Sequence, residues 1–191
     1  MRVLIVHGIA LMATGLLAGA FGYGAANLVP TFDAVPVAMR LDFHAELMKI
    51  NGITVQGAMV ASTFGSLTLA ALTRGRARAL AAAAGLLTFA SFLITRLGNV
   101  PINGRIKQWA ATTPPADHAE ILHRWELFHH ARTLTAVAAF ALLIFLAFFG
   151  PFGGRRFGSG RSGSEPSGPQ RTMTRAQRLT RGAAKGSPLV P

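Results

Sequence analysis

The chain has no cysteine among its 191 residues. Disulfides and thiolate metal centres are therefore excluded, and cysteine usage gives no reading of redox compartment. Charge is scarce as well. Only 14% of residues are charged, with seven Asp and Glu against nineteen Lys and Arg, while 51% are hydrophobic. That balance points to a membrane class, and the length fits one domain. The net charge of +12 is unevenly spread, with +5 in residues 1–150 and +7 in residues 151–191. The high isoelectric point thus belongs largely to a tail.

Charge is absent altogether from four long runs: residues 3–32, 52–73, 79–95 and 133–154. A membrane-crossing helix needs about 20 mostly apolar residues. An all-α fold follows, a four-helix membrane bundle with helices near 4–28, 53–73, 78–98 and 133–150. The third run is short and extends if Arg96 snorkels or meets a partner. The first resembles a signal peptide in its Arg2 and its Ala18-Gly19-Ala20 stretch. Its uncharged length exceeds the usual ~7–15-residue apolar region, so a retained helix is expected. Gly15-x-x-x-Gly19 and Ala18-x-x-x-Gly22 would then serve as close-packing faces.

Arg74-Gly75-Arg76-Ala77-Arg78 is a short loop with three arginines and no acid, and the tail opens with Arg155-Arg156. The positive-inside rule places both in the cytoplasm of a bacterial-type cell membrane, with both termini. Two longer segments, about 29–52 and 99–132, then lie outside and meet at one membrane face. Residues 151–191, rich in Gly, Ser, Pro and Arg, cannot bury a core and are expected to be disordered. Their cationic character suits anionic lipid headgroups. Nucleic-acid binding is disfavoured, because no aromatic interleaving or folded module accompanies the charge.

The second outer segment carries the richest polar pattern: Asn99-Val100-Pro101-Ile102-Asn103, Arg124-Trp125, and His129-His130-Ala131-Arg132-Thr133. Polar groups at the lip of a membrane helix are costly unless buried in protein or wet. Thr113-Pro114-Pro115 reads as a helix start with Thr113 as N-cap, and nothing interrupts helical spacing from 116 to 149. One long helix, about 50 Å, is expected to rise outside the membrane and continue as the fourth span. Trp109 and Trp125 suit an interfacial belt. Pro101 disrupts helix continuation, so one reading of Asn99 is that it caps and ends the third helix.

Helical spacing places Trp125, His129 and Arg132 on one face and His123, Glu126 and His130 on another. Two readings of the second face stand. It holds iron or zinc, with His44 and Glu46 from the first outer segment as further donors. Alternatively, these are interfacial polar residues, with Glu126 pairing Arg124 or His130. Glu126-x-x-His129 matches the spacing of di-iron bundles, but only one such motif is present. Arg132, at the membrane boundary, needs a carboxylate, carbonyl or water partner.

The paired motifs Asn99-Val100-Pro101-x-Asn103 and Arg124-Trp125, with His130-x-Arg132-Thr133 leading into an apolar helix, resemble the DUF1772 family of anthrone-oxygenase-like membrane proteins. The resemblance spans about residues 5–149. It departs from the family pattern before the histidine, where Phe128-His129 replaces an expected aromatic and amide. The resemblance implies oxidation of a lipophilic anthrone- or hydroquinone-like small molecule by dioxygen, without bound metal or flavin. His130 or His129 would act as base and Arg132 would stabilise the oxyanion. Asn99 and Asn103 would hydrogen-bond substrate oxygens, and Trp125 would stack on the ring system. The other function classes are a non-catalytic membrane binding protein or partner subunit, and a His/Glu metal-dependent oxidase.

Overall fold

The computed structural model describes residues 1–150; the expectation for residues 151–191 lies outside the described residues. The described part is all helical. Helix α1 (Arg2–Tyr23) passes through a π-helical turn, Gly24–Leu28, into the short α2 (Val29–Ala34). Helix α3 (Val37–Leu72) follows a break at Val35 and Pro36. Helix α4 (Gly75–Ile94) passes through a second π turn, Thr95–Asn99, into α5 (Val100–Ala111). Helix α6 (His118–Phe149) is one unbroken rod of 32 residues, about 48 Å long. The resulting four rods are long and apolar enough to cross a membrane.

Helix α1 packs on α3 and α6, and α4 packs on the same two, so α3 and α6 face each other across a diagonal. Side-chain size changes along the bundle. At the end near the Arg74–Arg78 turn the core is made of Ala10, Ala70, Ala77, Ala81, Ala84 and Ala139 with a few leucines. Small side chains let helix backbones approach closely in an apolar solvent. Leu17, Phe21, Met59 and Ala136 fill the middle. At the far end the core is bulky, with Phe32, Leu41, Ile106, Trp109, Leu122 and Trp125. Small residues close one end of the bundle and large ones spread the other.

Several boundaries differ from the sequence expectation. The third rod does not end at Asn99. Asn99 makes no capping bond, and the chain runs through it into α5. The two π turns share a local pattern: each is followed by Val and then Pro, at Val29-Pro30 and Val100-Pro101. A proline clashes with the carbonyl four residues back in a regular α-helix. A turn widened to i→i+5 bonding removes that clash and lets the helix continue. The first outer segment is also helical, since α3 begins sixteen residues before the expected position 53. Thr113 is not the cap of α6; Asp117 occupies that position, and His118 N–H donates to the Pro115 carbonyl.

The glycine faces of α1 sort differently as well. A Cβ at Gly15 would meet the Phe140 ring at 2.8 Å, so this glycine permits close packing on α6. Gly19 and Gly22 have nothing within 4 Å of such an atom. Gly98, inside the second π turn, lies against Phe128, where a Cβ would stand 2.6 Å from Cγ. Gly98→Ala must displace a half-buried aromatic ring at its root. It should cost about 1–3 kcal/mol, seen as a lowered unfolding midpoint in detergent, while Gly19→Ala leaves that midpoint unchanged.

Candidate functional site

A cavity of about 430 Å³ opens at the bulky end between the diagonal helices α3 and α6. Its lining is largely apolar, with Phe21, Leu28, Phe43, Leu47, Val55 and Val100. Both π turns border it, through Gly24 and Leu28 on one side and Thr95 on the other. π turns of this kind recur at functional sites.

The polar wall comes from α6. Trp125, His129 and Arg132 all line the cavity and are buried, at 2%, 3% and 9% exposure. Arg132 Nη2 donates to His129 Nδ1 at 2.7 Å, and its Nη1 approaches the Thr95 hydroxyl at 3.4 Å. The guanidinium sits 4.4 Å from the centre of the Phe21 ring, a cation–π contact. Among the described residues no carboxylate pairs with Arg132. Arg132 Nε is buried without a hydrogen-bond partner. Buried polar atoms are normally satisfied, so orphaned ones bordering a cavity mark a place for a ligand.

Because Arg132 donates to Nδ1, that nitrogen is an acceptor, and the neutral imidazole carries its proton on Nε2. Gly24 makes room for this ring: a Cβ there would lie 2.9 Å from both Cε1 and Nε2. Trp125 stacks on the His129 ring at 5.3 Å with an interplanar angle of 16°. The Trp125 indole N–H donates to Asn103 Oδ1 at 2.7 Å, and Asn103 also lines the cavity.

The structure separates the residues singled out in the sequence. His129, Arg132, Trp125 and Asn103 converge on the cavity. His130 does not: one position further round the helix, it is exposed and outside the lining. Asn99 is fully buried but stands behind the wall, where its Nδ2 donates to the Trp125 carbonyl at 3.0 Å. Asn99 thus holds the backbone that carries Trp125 and does not reach the cavity. Trp109 and Trp125 are core residues, not an interfacial belt, since both are buried in the bulky end.

The metal-donor set is not assembled. Among the described residues no group of three His, Asp or Glu is placed to share an ion. His44 is buried behind Trp125, with ring centroids 4.5 Å apart, and stacks flat on Phe32 at 5.1 Å. Glu126 is engaged by Arg40 Nη2 at 2.6 Å, with His123 Nδ1 at 3.4 Å. Arg124 pairs with Glu120, not with Glu126, and Glu46 pairs with Lys49. His123 and His130 are both exposed.

Arg40 was not singled out in the sequence, yet it organises the layer above the cavity. It is buried, donates to Asp33 at 2.8 Å and Glu126 at 2.6 Å, and lies 5.4 Å from the Phe32 ring centre. Removing Glu126 leaves the buried Arg40 with only the more exposed Asp33 as counter-ion. Glu126→Ala should destabilise the protein by about 1–3 kcal/mol. The Glu126→Ala/Arg40→Met double variant should recover part of that loss in the same thermal unfolding measurement.

The fold and site define a class: a membrane-compatible four-helix protein with an apolar cavity walled by an arginine–histidine–tryptophan face. The family comparison agrees with that class. The family model for anthrone oxygenase matches residues 43–142, just over half of the chain, and contains every cavity residue of α3, α5 and α6. The chain belongs to the anthrone oxygenase family, the DUF1772 type. No curated protein and no solved structure matches it.

Proposed function

We propose that this protein oxidises a flat, lipophilic phenolic or enolisable aromatic, of the anthrone or hydroquinone kind, with dioxygen as co-substrate. The observation that carries this reading is the buried Arg132 guanidinium, which borders an apolar cavity and has no carboxylate partner among the described residues. A cation so placed favours a ligand that is greasy in outline and becomes anionic during reaction.

The arrangement of the pair suggests the order of events. An acidic oxygen of the substrate takes over the guanidinium, which releases His129 Nδ1. With a substrate of the anthrone kind, the freed nitrogen accepts a proton lost from its ring CH₂. The resulting anion, spread over the aromatic system and its oxygen, passes electrons to dioxygen, and a carbon–oxygen bond forms. The peroxide takes the proton from the imidazolium. Loss of water from the hydroperoxide leaves the new carbonyl, so one oxygen atom enters the product and the other leaves as water. Trp125, stacked on the imidazole, fixes the plane of the base. His129, not His130, is the base in this reading because only His129 borders the cavity.

The test is oxygen consumption by purified protein in detergent with a panel of anthrones and hydroquinones. His129→Ala and Arg132→Met should each lower the turnover rate about 10²-fold or more, and His130→Ala should leave it near the unmodified rate. Activity that survives chelation supports chemistry without a metal. Loss on chelation that iron restores would replace this mechanism with a metal-dependent one.

We further infer that the cavity opens toward the outer face, with both termini cytoplasmic. The three-arginine turn at the opposite end is the support for this. A cysteine at exposed Ala116 should react with a membrane-impermeant maleimide in intact cells, and one at exposed Arg76 should not. Arg76 is the better probe position because Gly75 has φ +57, where a side chain is strained. The reverse labelling pattern would invert the orientation.

A further inference from the structure

The wall facing Arg132 is a stripe on α3 formed by Phe43, Leu47, Met48, Asn51, Gly52, Val55 and Gln56. It is apolar except for two amides. A third amide in the lining, Asn103, has its oxygen committed to the Trp125 indole. Gln56 is oriented by a different neighbour. Arg96, at the second π turn, brings Nη1 to 3.5 Å from Gln56 Oε1. The contact is too long for a strong hydrogen bond, but a guanidinium settles which end of an amide faces it, since the carbonyl oxygen carries the negative partial charge. Gln56 lines the cavity, and among the described residues no hydrogen bond engages its NH₂.

We propose that Gln56 is a specificity-determining residue. It donates a hydrogen bond to an oxygen at the end of the substrate remote from the reacting centre, while Arg132 and His129 hold the acidic end. The cavity thus reads a planar molecule with oxygens at both ends and an apolar middle. Helices α3 and α6 lie on the bundle diagonal, so a ligand touching both walls must bridge that gap. One polar contact on each wall fixes its direction and register, and the apolar lining between them supplies affinity. This inference rests on the proposed chemistry at Arg132 and names what that same site selects.

The test pairs two probes, anthrone and an anthrone bearing a hydroxyl on an outer ring. Both are bound without oxygen to the full-length protein in detergent and followed by tryptophan fluorescence quenching. The unmodified protein should bind the hydroxylated probe more tightly, by about fivefold to tenfold for one added hydrogen bond. Gln56→Leu should abolish that preference by weakening only the hydroxylated probe. Unchanged binding of plain anthrone then also shows that the variant is folded. A third probe, with a carbonyl in place of the hydroxyl, should also bind the unmodified protein more tightly than plain anthrone, and Gln56→Glu, which keeps the shape and removes the donors, should lose that preference. If Gln56→Leu weakens both probes equally, or neither, the assignment of Gln56 is overturned while the Arg132 reading stands. If Arg132→Met binds both probes as tightly as the unmodified protein, the underlying site reading is overturned, and this inference with it.

Discussion

Arg132 is a buried cation without a counter-ion among the described residues, and the site end of the bundle is built around it. Taking a charge out of water costs several kcal/mol even after the surroundings relax. The protein offsets that cost with soft partners only: an imidazole nitrogen, a threonine hydroxyl and the face of Phe21. Each partner depends on a separate feature. His129 has room because Gly24 has no side chain, Thr95 opens the second π turn, and Phe21 lies in the last turn of α1. None of these partners carries negative charge, so the electrostatic demand of the guanidinium remains available to a ligand.

Two buried arginines at the same end of the bundle show how partners separate structure from chemistry. Arg40 is saturated by Asp33 and Glu126 and ties α3 to α6 above the cavity. Arg132 has no such pair and borders open space. Between them runs a continuous aromatic column of Phe32, His44, Trp125 and His129, each ring in contact with the next. Trp125 is the centre of that column. Its ring stacks on His129, its N–H is held by Asn103, and its carbonyl is held by Asn99. The wall is therefore built from ring contacts and two amide hydrogen bonds. Preorganised walls of this kind lower the cost of ordering a ligand.

Periodicity and charge distribution were enough to read the four spans, the long final helix and the shared face of Trp125, His129 and Arg132. These features arise from local spacing along one chain segment, where a 3.6-residue repeat maps position directly to direction. The same logic could not separate His129 from His130. Both sit on the same helix at the same depth, and only the packing of α1 shows which one faces inward. The π turns were missed because Val-Pro reads locally as a helix end. The repeated pattern at Val29-Pro30 and Val100-Pro101 was the available signal. His44 looked like a metal donor because residue type says nothing about the aromatic surroundings that a distant helix supplies.

The sequence by itself determined that this is an apolar four-rod bundle with a polar face on its last helix, because hydrophobic runs and helical spacing are properties of single segments. Only the tertiary structure decided which polar groups meet: Arg40 with two carboxylates, Arg132 with none, and Gln56 across the diagonal from His129. Those pairings join residues up to eighty-six positions apart. Whether a buried charge is neutralised at such separations depends on how whole helices pack, and that is not written in any one of them.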